Sequence, residues 1–305
     1  MTTRPSYSGI WPALLTPLTP ALDIDVAAFA RHARALIAAG CTGVTPFGTT
    51  GEGPSFTVTE RRDAIDGLIA GGAPAERILV STSAAALPDA VALTRHAVEA
   101  GTFGCLLLPP FFLKGVSEQG VIDAYRWVIE RVADPRLRIV LYHIPQVSGV
   151  GLSHHVIRTL RTLYPQTIIG LKDSGCERES SLAYAQAFMP EIQVWVGNEP
   201  DLQVMASRGS CGAVSGMANV MPHLIGRMVA QPEGPQAGRD LQRVRAFLDV
   251  LGGYGMTAAF KGVMAILDGD PGWRRVRPPL VALDEAEVER LAAQMRAFAL
   301  DRALD

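Results

Sequence analysis

The chain has 305 residues, of which 48% are hydrophobic and 19% charged, and its formal net charge is -2. Core material is plentiful, so a disordered chain is excluded, and with no basic stripe a nucleic-acid partner is disfavoured; the densest basic stretches, "RVRAF" at 243–247 and "WRRVRPP" at 273–279, are short. Cys41, Cys105, Cys176 and Cys211 sit singly with no CxxC spacing, which points to reduced thiols in a reducing compartment. No run approaches the ~20 apolar residues of a membrane span, and the first residues lack the apolar segment of a signal peptide. The expectation is a cytoplasmic protein that does not contact a membrane.

Taken in order, short β-prone runs alternate with helical patterns. The runs are 9–18, 41–48, 77–83, 104–110, 137–144, 167–174, 192–199 and 212–219. Between the first two, "DVAAFARHARALIAAG" (25–40) repeats its apolar residues at helical spacing and ends in glycine. After the second, "TVTERRDAIDGLIAGGA" (57–73) opens like a capping box, with Thr57 or Thr59 ahead of Glu60 and Asp63. Eight strand–helix repeats predict an α/β fold, a (β/α)8 TIM barrel, because right-handed crossovers place every helix outside the strands. An open doubly wound sheet is the alternative, and no GxGxxG follows the first strand to favour it. Beyond "ANVMP" the strand signal stops, so residues 1–225 read as the barrel and 226–305 as a C-terminal helical extension.

Barrel chemistry gathers at the C-terminal ends of strands. The second run ends in "GTTGEG", where Thr49 and Thr50 stand in a glycine-flanked turn. Free backbone N–H groups and two hydroxyls there suit a carboxylate, although the threonines could instead simply cap the next helix. The fifth ends in "YHIPQVSG", placing Tyr142 near the barrel top, where a hydroxyl relay to Thr50 would satisfy it; alternation turns His143 to the other face as a structural residue. The sixth is "TIIGLKDSG". Of 28 cationic side chains only Lys114, Lys172 and Lys261 are lysines, and Lys172 ends an apolar strand. Arginine can carry charge there, but only lysine can lose a proton and attack carbon. Alternation puts Ile169 and Leu171 on one face and Gly170 and Lys172 on the other, with Gly170 leaving room beside the amine. An ion pair with Asp173 is the competing reading. "SHH" at 153–155 has no third ligand at metal spacing, and no GxSxG elbow occurs, so neither a metal site nor a serine nucleophile is expected.

With "GTTGE", "YHIPQVSG" and "GLKDS" in this order, the chain resembles the dihydrodipicolinate synthase / N-acetylneuraminate lyase family. "ALLTPL" at 13–18, "GAVSGMANV" at 212–220 and "RPPL" at 277–280 extend the likeness over nearly the whole length. The resemblance implies class I, Schiff-base-forming lyases and aldolases on a barrel with a helical C-terminal domain, usually tetrameric, that use pyruvate and an aldehyde. It implies Lys172 as the imine-forming amine and Tyr142 as proton shuttle. It makes Thr49 and Thr50 the pair that holds the pyruvate carboxylate and links to Tyr142. The backbone carbonyl of Val214 would lie near the keto acid, and Gly197 and Glu199 near the distal part of the substrate. No metal or organic cofactor is implied beyond the covalent imine.

Two departures bear on the substrate. Dihydrodipicolinate synthases carry an arginine five residues after the tyrosine, whereas this chain has Val147, which cannot fork a carboxylate. Those synthases also present a tyrosine to a neighbouring subunit from a "PYY" segment; "PPFF" puts Phe112 there, without a hydroxyl. "GTT" in place of "GST", and Pro200 after Glu199, likewise depart from the neuraminate lyases. The expected activity is therefore cleavage or condensation of pyruvate with an aldehyde, as for a 2-keto-3-deoxy sugar acid, with Phe111, Phe112, Leu113 and Val147 making an apolar acceptor pocket. Synthase-like condensation, a dehydratase or hydratase-aldolase using the same imine, and a non-catalytic barrel that binds a small acid are the alternatives.

Overall fold

A computed structural model describes residues 7–297. Seven strands form one parallel sheet: β1 (Gly9–Pro12), β2 (Leu79–Ser81), β3 (Gly104–Leu107), β4 (Ile139–His143), β5 (Ile168–Asp173), β6 (Gln193–Val196) and β7 (Gly212–Ser215). Their order is β1-β7-β6-β5-β4-β3-β2, so the sequence runs around a barrel broken only between β1 and β2. The missing position belongs to the second predicted strand, 41–48. It survives as two parallel bridges, Ala13 with Thr45 and Val44 with Ile78, which nearly close the ring. The ladder cannot run on because Pro46 has no N–H to donate and Phe47 turns into left-handed backbone at φ 62.

The helices form where capping and periodicity place them. Helix Val26–Ala38 starts on Asp25, whose side chain accepts the Ala28 amide, and buries Phe29, Ala33 and Leu36. Helix Val58–Ala70 carries the full capping box, Thr57 with Glu60. Glu60 also accepts from Arg277, and this guanidinium, before Thr57, holds its carboxyl at about 2. Helix Pro222–Ala230 spans position 225 and packs on β1 and β7. Helices Ala237–Leu251, Met256–Asp268 and Glu285–Ala297 follow; the stretch 298–300 of the last expected helix lies outside the described residues. Among the described residues no disulfide joins the four cysteines, and no single helix is long and apolar enough to cross a membrane.

The barrel interior is a packed layer of large side chains, among them Trp11, Phe103, Leu106, Val140, Tyr142, Trp195 and Val214. Two details on β5 differ from simple alternation. The register to β4 slips between Ile139 and Val140, so Ile168 faces Ile139 while Gly170 faces Val140. Ile169 is the extra residue of this bulge, and it packs against the interior cluster instead of sharing the outer face with Leu171. The space left by Gly170 is taken by an indole: a Cβ there would lie 2.3 Å from Trp195 Cζ3. Gly170→Ala is expected to overpack this layer and destabilise the fold by about 1–3 kcal/mol, read as a lower denaturant midpoint in urea unfolding.

Candidate active site

Tyr142 and Lys172 end neighbouring strands and are register partners across β4 and β5. Lys172 is 4% exposed, and its Nζ lies 4.1 Å from the centroid of the Tyr142 ring. Among the described residues it forms no ion pair and no hydrogen bond. The ring face is a weak electrostatic partner that leaves the amine lone pair unblocked after deprotonation. Asp173, the competing partner, points the other way: its carboxylate accepts the Ser181 hydroxyl at 2.5 Å and the Gly175 amide at 2.9 Å.

His143 also faces away from the barrel, as alternation requires. Its Nδ1 accepts the Leu152 amide at 3.0 Å, which leaves the proton on Nε2. Burial pushes its pKa down, against the pull of Asp173 and Glu177. This histidine holds a loop. Among the described residues no group of three or more His, Cys, Asp and Glu is placed to hold a metal ion, and His154 and His155 are exposed.

The turn after the bridged segment brings its first threonine to the tyrosine. Thr49 Oγ1 lies 3.3 Å from the Tyr142 hydroxyl. From sequence, Thr50 is the expected partner there. Thr50 instead turns toward the end of β7, its Oγ1 3.3 Å from where a Cβ on Gly216 would stand. The N–H groups of Thr49, Thr50 and Gly51 make no hydrogen bond among the described residues, whereas Glu52 and Gly53 donate to Thr49 and Gly48. Three successive amides without a partner are donors available to an anion.

The remaining predicted positions divide into two groups. Val214 is buried in the interior layer at the end of β7. Gly197 follows β6, and a Cβ there would meet Ser174 Oγ at 1.9 Å and Lys172 Cε at 3.0 Å, so this is the glycine that leaves space for the lysine. Glu199 is buried, with Oε1 taking the Ser215 hydroxyl at 2.7 Å and the Met217 amide at 3.3 Å. Phe112 and Val147, in contrast, lie on the surface at 75% and 56% exposure. Ser174 and Gln146 were not singled out from sequence; Gln146 Nε2 donates to the Ser174 carbonyl at 2.6 Å and ties the loop after β4 to the loop after β5. Lys114 adds a second tie, donating to the carbonyls of Phe111 and of Ser148.

Comparison with known proteins agrees with this fold. The profile of the dihydrodipicolinate synthetase family matches residues 6–298. An uncharacterised DapA-like lyase of Chloroflexus aurantiacus is 30% identical over 288 residues, covering 93% of this chain and 95% of that protein. The crystal structure of dihydrodipicolinate synthase from Agrobacterium tumefaciens superposes with a TM-score of 0.89 at 29% identity, over 95% of this chain and 99% of that one. A prophage protein of E. coli K12 from the dihydrodipicolinic acid synthase family, solved in complex with pyruvate, shares the fold at a TM-score of 0.86 and 23% identity, over 96% and 99% of the two chains. This barrel, with a lysine and a tyrosine side by side at its strand ends, belongs to the dihydrodipicolinate synthetase family, whose members are lyases.

Proposed function

We propose that the protein is a class I lyase or aldolase in which Lys172 forms an imine with pyruvate, and that it cleaves or makes a 2-keto-3-deoxy sugar acid or a similar hydroxy-keto acid. One observation carries the reading: an amine buried at a strand end, without an ion-pair partner, against the ring of Tyr142. Nζ adds to the ketone carbon, and loss of water gives the imine. Cleavage of the C3–C4 bond leaves its electron pair in an enamine, with the imine nitrogen as sink, while the C4 hydroxyl gives up its proton and departs as an aldehyde. Tyr142 accepts that proton and returns it to C3, with Thr49 orienting its hydroxyl. Hydrolysis then frees pyruvate and the lysine. The amides of 49–51 and the two threonine hydroxyls hold the carboxylate, an orientation effect. The route needs no metal or organic cofactor. Binding of pyruvate by a protein of the same fold supports the choice of keto acid.

The hydroxyl of Tyr142 is separable from its ring. Tyr142→Phe keeps the contact with Lys172 and is expected to lower kcat for pyruvate release by about 10²–10⁴-fold, measured by coupling pyruvate to a dehydrogenase.

Val147 decides between acceptors in this reading. It offers no charge to an acidic aldehyde, while amide and hydroxyl groups of Gln146, Ser174 and Asn198 stand near the strand ends and suit a polyhydroxylated chain. In a screen of aldehydes with pyruvate, aspartate semialdehyde is expected to turn over at least about 10²-fold less efficiently than sugar-derived aldehydes. Efficient use of aspartate semialdehyde would sink this substrate assignment and favour the synthase reaction. The exposed apolar side chains of Phe112, Leu113 and Val147 read as the contact of a homo-oligomer, dimer or tetramer. A chain that sediments as a monomer would contradict that.

A further inference from the structure

The last of the three lysines has no part in the proposed reaction, yet it is the most deeply buried of them. Lys261 lies in helix Met256–Asp268 and pairs with the carboxylate of Glu52; both side chains are 0% exposed. The amine also donates to the Arg275 carbonyl at 2.6 Å, and the Arg277 amide donates to the second oxygen of Glu52 at 3.2 Å. Burial pushes the Lys261 amine below its ordinary range, and Glu52 opposes that shift. Such a pair contributes little net stability compared with apolar side chains of the same volume, so its worth lies in what it holds in place.

What it holds is the threonine turn. Glu52 follows Thr49 and Thr50 in "GTTGE" and has left-handed backbone at φ 58; Phe47, at the other end, has φ 62. Residues other than glycine keep that conformation only where the surroundings over-determine it. The turn between them is tight: a Cβ on Gly53 would fall 1.9 Å from the Phe47 carbonyl oxygen, and one on Gly51 2.4 Å from that of Leu14. Arg277 clamps the far side, donating to Leu22 and Ser55 carbonyls and to Glu60, with its guanidinium over the Phe56 ring. The C-terminal helical layer therefore reaches the threonine turn at Glu52, through the buried Lys261 charge pair and the Arg277 amide.

The geometry points to Lys261 as a positioning residue that, through Glu52, fixes the 47–53 turn so that the Thr49 hydroxyl and the amides of 49–51 face the pyruvate carboxylate. This inference rests on the reading of that turn as the carboxylate site. The test uses the full chain carrying Glu52→Gln and Lys261→Met together, which removes both charges while keeping volume. Hydrogen exchange of the 47–53 amides is expected to quicken at least about tenfold, with β4 and β5 unchanged. The pyruvate concentration that half-saturates borohydride trapping is expected to rise at least about tenfold. An unchanged turn overturns the inference, and so does a loosened turn whose half-saturation matches the wild type. If the wild-type chain itself traps no pyruvate, the functional reading fails, while loosening confined to the turn still identifies Lys261 as its clamp. Should the double variant unfold, Glu52→Gln alone decides by the same two readouts.

Discussion

Lys172→Arg is expected to abolish pyruvate-dependent turnover, with a loss on the order of 10⁴–10⁶-fold, the scale seen when a covalent nucleophile is removed. The substitution keeps a positive charge, so an electrostatic role for Lys172 would survive it in large part. Imine formation would not, because a guanidinium stays protonated and offers no lone pair to carbon. The barrel interior should tolerate the change poorly in volume, since Gly197 leaves only a small space beside Lys172 Cε. Circular dichroism and an unfolding curve on the same sample therefore accompany the rate. A folded variant with no turnover supports the nucleophile; a folded variant retaining a tenth of the rate would contradict it.

Lys261→Met, as a single change, is expected to be the most destabilising substitution outside the site. It leaves the Glu52 carboxylate at 0% exposure with no cation, and breaking a buried pair in this way typically costs about 3–5 kcal/mol. Urea unfolding at neutral pH measures it. Adding Glu52→Gln should recover most of the loss, because the uncompensated charge is then gone while the Arg277 amide keeps an acceptor. Equal losses for the single and double variants would show that packing of the lysine stem, and not charge compensation, dominates at this position.

The architecture was legible because buried parallel strands leave apolar runs that no surface element produces, and seven of the eight expected runs carry a strand. Lys172 stood out for the same reason, as a cation where the pattern demands an apolar residue. What escaped detection has identifiable causes. The second run looked like the others, but Pro46 and left-handed Phe47 reduce it to two bridges, and in the turn beyond them Thr49, in place of Thr50, meets the Tyr142 hydroxyl. The bulge at Ile169 breaks the period of two on the very strand that carries the lysine, so the outward partner of Leu171 is Ile168. The glycine that makes room for Lys172 is Gly197 on the neighbouring strand end, a contact no linear reading of β5 could supply. The Glu52–Lys261 pair joins segments from opposite parts of the chain, and no local pattern records it. The scarcity of lysine was the one available signal, and it applied to Lys114 and Lys261 as much as to Lys172.

A covalent bond between Lys172 and a keto acid is the centre of the proposed reaction, and it can be read directly. The protein is incubated with pyruvate, reduced with borohydride, digested and sequenced by mass spectrometry. One reduced pyruvate is expected on the peptide containing Lys172, absent without pyruvate and absent from Lys172→Arg. A protein that gains no adduct, or gains it at Lys114 or Lys261 instead, would contradict it.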